Sequence, residues 1–156
     1  MGGGPAGSSA ARMAAENDCT VALIEKEKQI AETVRTSGVT WISDIKKFGI
    51  PDDCYNPIKK FSFYSPKNSV TISDKIAKAA VLDVRKTYRF LANRAEAVGV
   101  KIFVSTNVTE IIKDSADRCT GVIAKSQEKQ IQFNGKVIID ASGFASIVAK
   151  ELGYVE

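Results

Sequence analysis

The sequence predicts an α/β fold built around a parallel sheet, and three observations predict it. A glycine-rich turn opens the chain, with Gly2, Gly4 and Gly7 in the spacing G-x-G-x-x-G. A short β-branched strand, "TVALIEK", follows and closes on an acid, as a buried parallel strand of a βαβ unit does. Near the carboxyl end, three short alternating runs precede "KVIIDASG", a strand that ends in a turn of small residues.

Each element has a local reason. In such a loop the first glycine makes a tight turn, the second lets backbone approach a pyrophosphate, and the third lets the following helix pack closely. Pro5 suits the first turn of a helix, where its missing N–H costs nothing. The Ala-rich "AGSSAARMAAEN" continues that helix, whose unpaired amino-terminal N–H groups favour an anion. Strand Thr20 to Lys26 places Glu25 about twenty residues beyond the loop, where a carboxylate accepts hydrogen bonds from a ribose. Residues 27–60 read as an irregular excursion punctuated by Gly38, Gly49, Pro51 and Pro57. "KKFSFYSP" and "SVTISD", around "PKN", read as a hairpin. A helix is expected between about Ala77 and Val98, stopped by Gly99. "VKIFV" is a further parallel-type strand, the runs "NVTEIIKD", "CTGVIAKSQ" and "KQIQFNG" form a meander, and "FASIVAKELG" is a terminal helix.

Composition narrows the function. The chain contains no histidine, which removes Ser-His-Asp and Cys-His catalysis and histidine-ligated zinc. Three widely spaced cysteines, Cys19, Cys54 and Cys119, form neither a redox pair nor a metal cluster and suit a reducing cytoplasm, so no metal is expected. Net charge is +4, from 22 basic and 18 acidic residues. The pairs Lys46-Lys47 and Lys59-Lys60 are too short a basic stripe for nucleic acid, and no such partner is expected. No apolar run approaches the length of a membrane-spanning helix.

In this order of elements the sequence resembles the FAD-dependent oxidoreductases of the glutathione-reductase-like fold, and more closely the geranylgeranyl reductase family, including archaeal digeranylgeranylglycerophospholipid reductases. The resemblance is carried by "GGGPAGSSAARMAA", "VALIEK", "VRTSG", "VRKTYRFLANRAEAVGV", "NVTEI" and "IDASGFASIVAKELGY". It implies a Rossmann-like FAD-binding fold, a parallel sheet with a three-stranded antiparallel meander. It also implies roles. Gly2, Gly4, Pro5, Ala6 and Gly7 would wrap the FAD pyrophosphate, Glu25 would bind the adenosine ribose, and Lys26 would lie over the adenine edge. Val108 would offer backbone to adenine, while Ala141, Ser142 and Gly143 would close the site beneath the adenosine. Arg85 would approach the ribityl and phosphate region, where a guanidinium neutralises an anion through paired hydrogen bonds. Arg35, Thr36 and Gly38 resemble the segment beside the isoalloxazine. No residue stands out as a catalytic acid.

The resemblance implies reduction of isoprenoid double bonds in lipid biosynthesis. Its alternatives are an aromatic monooxygenase or halogenase-type flavoprotein and a non-catalytic flavin- or nucleotide-binding module. The electron donor stays open between NADPH and a ferredoxin-type protein, because Ser142 stands where related aromatic hydroxylases carry an aspartate that serves nicotinamide binding. An isoprenoid lipid substrate, a cytoplasmic location and peripheral membrane contact in the full-length form are the further expectations. Family members carry a hydrophobic strand ahead of the glycine loop and a long carboxyl-terminal part with a Gly-Asp motif. The expectation is therefore a partial FAD-binding domain over 1–156, inactive alone, with 27–75 an inserted loop and hairpin region on the flavin and substrate side.

Overall fold

The computed structural model describes residues 1–154. In chain order the elements are α1 (Pro5–Ala15), β1 (Ala22–Ile24), β2 (Val39–Trp41), α2 (Ile42–Lys47), β3 (Tyr55–Ile58), β4 (Lys60–Tyr64), β5 (Ser69–Ser73), β6 (Ala79–Leu82), α3 (Val84–Ala97), β7 (Lys101–Phe103), β8 (Asn107–Lys113), β9 (Cys119–Ser126), β10 (Lys129–Asn134) and α4 (Ile147–Glu151). Single 3-10 turns occupy Asp52–Cys54 and Gly143–Ala145. The chain divides into two compact units, Met1–Thr33 with Tyr88–Glu156, and Val34–Thr87.

In the first unit β1 pairs parallel with β7, Leu23 opposite Ile102. Successive side chains of a strand face opposite sides of its sheet. Leu23 accordingly joins Ala11, Ala95 and Val100 in one apolar cluster, and Ile24 joins Val108, Val122 and Ala124 in another. A strand covered on both faces reads as an unbroken apolar run, which is why "VALI" was legible as a buried parallel strand. The meander forms as expected, in the order β10-β9-β8, both pairs antiparallel. Helix α3 stops at Gly99, with φ of +94°: its N–H donates to Glu96 O and that of Val100 to Ala95 O, closing the last turn.

The second unit holds the three-stranded antiparallel sheet β2-β6-β3 and the separate hairpin β4-β5.

Several expectations need correction. The stretch 77–98 contains the expected helix, but the helix begins at Val84, and the residues before it hold an unexpected strand, Ala79–Leu82, the central β6, paired on both sides. Alanine's helical preference is worth tenths of a kcal/mol per residue, about 1 at most, and two ladders override it. Asp83 then starts the helix by accepting the Lys86 N–H at Oδ1, 3.0 Å. The stretch 27–60 is not irregular throughout: it contains β2, α2 and β3. "KVIID" forms no regular strand. Its ladder consists of Met1 alone, whose amine donates to Ile139 O and whose carbonyl accepts from the Ala141 N–H, while the Gly2 N–H donates to Ile24 O. The terminal helix is broken at Ser146, φ +44°, so only Ile147–Glu151 is α-helical.

Candidate functional site

The glycine loop, the end of β1 and the small-residue turn after Asp140 meet in the first unit, although the turn lies more than a hundred residues along the chain from the other two. Gly2 has φ of +96°, and a Cβ there would strike Ala141 O and come within 2.7 Å of Ala141 C. A Cβ on Gly7 would strike Gly2 O and lie 3.3 Å from the Ala141 Cβ. These two glycines are demanded by packing of the loop against α1 and against the turn. Gly4 differs: apart from its own chain neighbours, no atom lies within 4 Å of where its Cβ would stand. Gly4 is also the N-cap of α1, with no side-chain cap, and the first turn carries no acidic residue. Pro5 and Ala6 follow in that turn and are exposed. The uncapped amino end of α1, with the exposed Pro5 and Ala6, thus borders open space at Gly4, and a helix start carries unpaired N–H groups and a partial positive charge.

Glu25 anchors the loop. Its Oε2 accepts the Gly3 N–H at 2.6 Å and its Oε1 accepts the Glu27 N–H at 2.9 Å. Each carboxylate oxygen retains capacity for a second donor. Lys26 beside it is exposed. Val108 is buried, paired with Ala124, on the edge strand β8; a register shift between Val108 and Glu110 bends the strand there.

The turn 140–143 is held by a carboxylate that the sequence reading did not single out. Asp140 Oδ1 accepts the Ser142 N–H at 2.9 Å, and Oδ2 accepts those of Val148, 2.8 Å, and Ala149, 3.4 Å. Burial would raise the Asp140 pKa, but hydrogen bonds from Ser142, Val148 and Ala149 prevail and hold it below its usual 3.8. The Ser142 hydroxyl accepts the Ile147 N–H at 3.1 Å, so both side chains cap the start of α4. Gly143 has φ of +66° and is exposed. A capping acid two residues ahead of a Ser and seven ahead of an apolar helical run was the available signal. Ser8, fully buried with its hydroxyl donating to Gly3 O at 3.2 Å, was also missed, and a serine after a glycine loop gives no sequence signal.

The remaining expected residues, Arg35, Thr36, Gly38 and Arg85, lie in the second unit. Gly38 has φ of +75°, and a Cβ there would come within 2.8 Å of Val84 Cγ2 and 2.9 Å of Leu82 O, so that unit's packing requires glycine. Arg35, Thr36 and Arg85 are exposed. A separate cleft of about 330 Å³ in the first unit, between Lys28–Ile30, Arg89 and Glu96 of α3, and Val104, contains none of the expected residues.

A glycine loop entering a helix, an acid at the end of the next strand and a parallel pair joined to a meander define a dinucleotide-binding α/β protein. Residues 1–151 match the family described as FAD dependent oxidoreductase, and the chain belongs to that family. It is 33% identical over 159 residues to the digeranylgeranylglycerophospholipid reductase of Methanocella arvoryzae, covering 98% of this chain and 40% of that protein. It is 30% identical over 167 residues to an uncharacterized protein in the nifH2 5' region of Methanosarcina barkeri, covering 98% and 85%. Among solved structures, a geranylgeranyl bacteriochlorophyll reductase-like protein from Thermoplasma acidophilum superposes with a TM-score of 0.82 at 27% identity, over 93% of this chain and 38% of that one. The chain thus spans about two-fifths of the reductase.

The cofactor of this family is FAD, and the residues present fit it. The open position at Gly4, between two glycines closed by packing, is the cradle a pyrophosphate needs. Among the described residues no helix is long and apolar enough to cross a membrane.

Proposed function

We propose that this chain is the FAD-holding part of an oxidoreductase that reduces carbon–carbon double bonds of isoprenoid lipids. The observation that carries the reading is the contrast within the loop: Gly2 and Gly7 are glycines for packing, whereas Gly4 is a glycine facing nothing. Gly2, Gly4, Pro5, Ala6 and Gly7 wrap the pyrophosphate, with α1 N–H groups directed at it. Glu25, held in place by the Gly3 and Glu27 amides, receives the adenosine ribose on its remaining lone pairs. Lys26 and the Val108 backbone flank adenine, and Ala141, Ser142 and Gly143 close the floor. For Arg85, Arg35, Thr36 and Gly38, in the second unit, the resemblance alone supports a flavin-binding role. FAD supplies the hydride chemistry, and these residues bind and orient it. The lipid substrate is argued from the Methanocella relative's name, at 33% identity.

The test uses dithionite as reductant, which makes it independent of whether NADPH or a ferredoxin-type protein is the natural donor. Incubated anaerobically with FAD and a geranylgeranyl glycerophospholipid, the protein with the relatives' remaining region supplied should give products heavier by one H2 per double bond. Flavin bound without any such product would leave a binding module and remove the reductase.

A further inference from the structure

The hairpin β4-β5 has two unlike faces. Phe61 pairs with Ile72 and Phe63 with Val70, so four apolar side chains share one face. The other carries Lys60, Ser62, Tyr64, Ser69, Thr71 and Ser73, with Ser62 and Thr71 hydrogen-bonded at 2.9 Å. Most of the apolar face is uncovered: Phe61 is half-buried, but Phe63 is 57%, Val70 55% and Ile72 58% exposed, and Ile76 just beyond is 76% exposed. A two-stranded ribbon is at best marginally stable alone, and this one joins no other sheet.

Charge identifies what the face meets. Residues 59–78 hold five lysines and one aspartate, a net +4, which equals the net charge of the whole chain. The other residues balance, with 17 basic against 17 acidic. Lys78 pairs with Asp74 at 2.7 Å; Lys59, Lys60, Lys67 and Lys75 make no ion pair among the described residues. Lysines lie at both ends of the ribbon, on long apolar stems that let an ammonium stand at a polar boundary while the ring and branched side chains go deeper. Apolar burial plus attraction to anionic headgroups is the energetics of a peripheral interfacial anchor.

We propose that the hairpin β4-β5 docks on an anionic lipid surface, with Phe61, Phe63, Val70 and Ile72 entering the headgroup–acyl boundary and Lys59, Lys60, Lys67 and Lys75 binding the headgroups. The inference goes beyond the reductase reading, because vesicle binding is read with no flavin and no turnover. If it fails, the proposed chemistry stands, and if the chemistry fails, the surface stands.

The experiment is vesicle co-sedimentation of the wild-type protein with phosphatidylcholine alone and with phosphatidylcholine–phosphatidylglycerol mixtures. Binding should need the anionic lipid and weaken as salt rises. Replacing Lys59, Lys60 and Lys67 together by Gln should weaken it by about a hundredfold, since each lysine near such a surface contributes about fivefold. A second variant, Phe63→Ser with Ile72→Ser, should also lose binding while keeping the wild-type circular dichroism. No binding to anionic vesicles, or binding that both variants retain, overturns the proposal. A lipid-free dimer abolished by the Phe63→Ser, Ile72→Ser variant, without vesicle binding, would assign the face to a second copy and overturn it as well.

Discussion

In the first unit the apolar residues of β1 and the meander go inward: Leu23, Ile24, Val100, Val108 and Val122 are all buried, while Val137, Phe144 and Tyr154 nearer the carboxyl end are exposed. In the second unit the largest go outward, with Trp41, Phe48, Phe63, Tyr64 and Ile72 all more than half exposed. Charge divides the same way. The first unit carries 12 basic and 13 acidic residues, the second 10 and 5. One part buries apolar side chains on both faces of the strand that follows the glycine loop, and the other keeps apolar and basic side chains at its surface. The difference teaches that burial of β1 and the meander fixes the backbone around the glycine loop, whereas the hairpin of unit two leaves apolar and basic side chains exposed, as the two proposals above require.

The sharpest way to break the comparison is in the loop. Gly7→Val puts a branched Cβ onto Gly2 O, a backbone atom that cannot yield, and should cost more than ~4 kcal/mol, seen as loss of the cooperative unfolding transition. Leu23→Ala, in the first unit's core, should cost about 2–5 kcal/mol by denaturant titration, while Ile72→Ala on the exposed hairpin should stay within about 0.5 kcal/mol. Equal losses at these two positions would erase the distinction between the units.

Asp140→Ala should cost about 1–2 kcal/mol, since it strips one capping acceptor from Ser142, Val148 and Ala149. Because its folded pKa lies below the usual 3.8, its contribution is present above that value and fades as pH falls through the lower folded value. The wild-type advantage over Asp140→Ala should therefore shrink in acid-titrated melts below about pH 4 and be constant above about pH 5. The smallest effect belongs to the exposed Lys86–Asp53 pair, 2.6 Å apart, where Asp53→Asn should leave the unfolding midpoint unmoved.

What could be read from the sequence follows from where signals are local. The glycine spacing, the Pro5 helix start, the stop at Gly99 and the alternation of the meander and hairpin are each written within a few neighbouring residues, and all appear in the structure. Strand β6 was hidden because "AAVL" before a long helical pattern continues that pattern, and only its partners β2 and β3 make it a strand. Gly2 and Gly7 were legible as motif positions, but that Ala141, distant in the chain, imposes them was not. Asp140 stood inside a motif read for its small residues, and its capping role needed the position of α4.

The measurement that reaches the central claim most directly compares FAD retention by wild type and Gly4→Val, prepared identically with the relatives' remaining region supplied, with circular dichroism recorded on both. Space around Gly4 lets valine be accommodated, so the account predicts the same folded spectrum and the same unfolding midpoint within about 1 kcal/mol of stability. It predicts flavin in the wild type and none in Gly4→Val, because the side chain fills the volume the pyrophosphate needs. Equal flavin content in two equally folded proteins would contradict it.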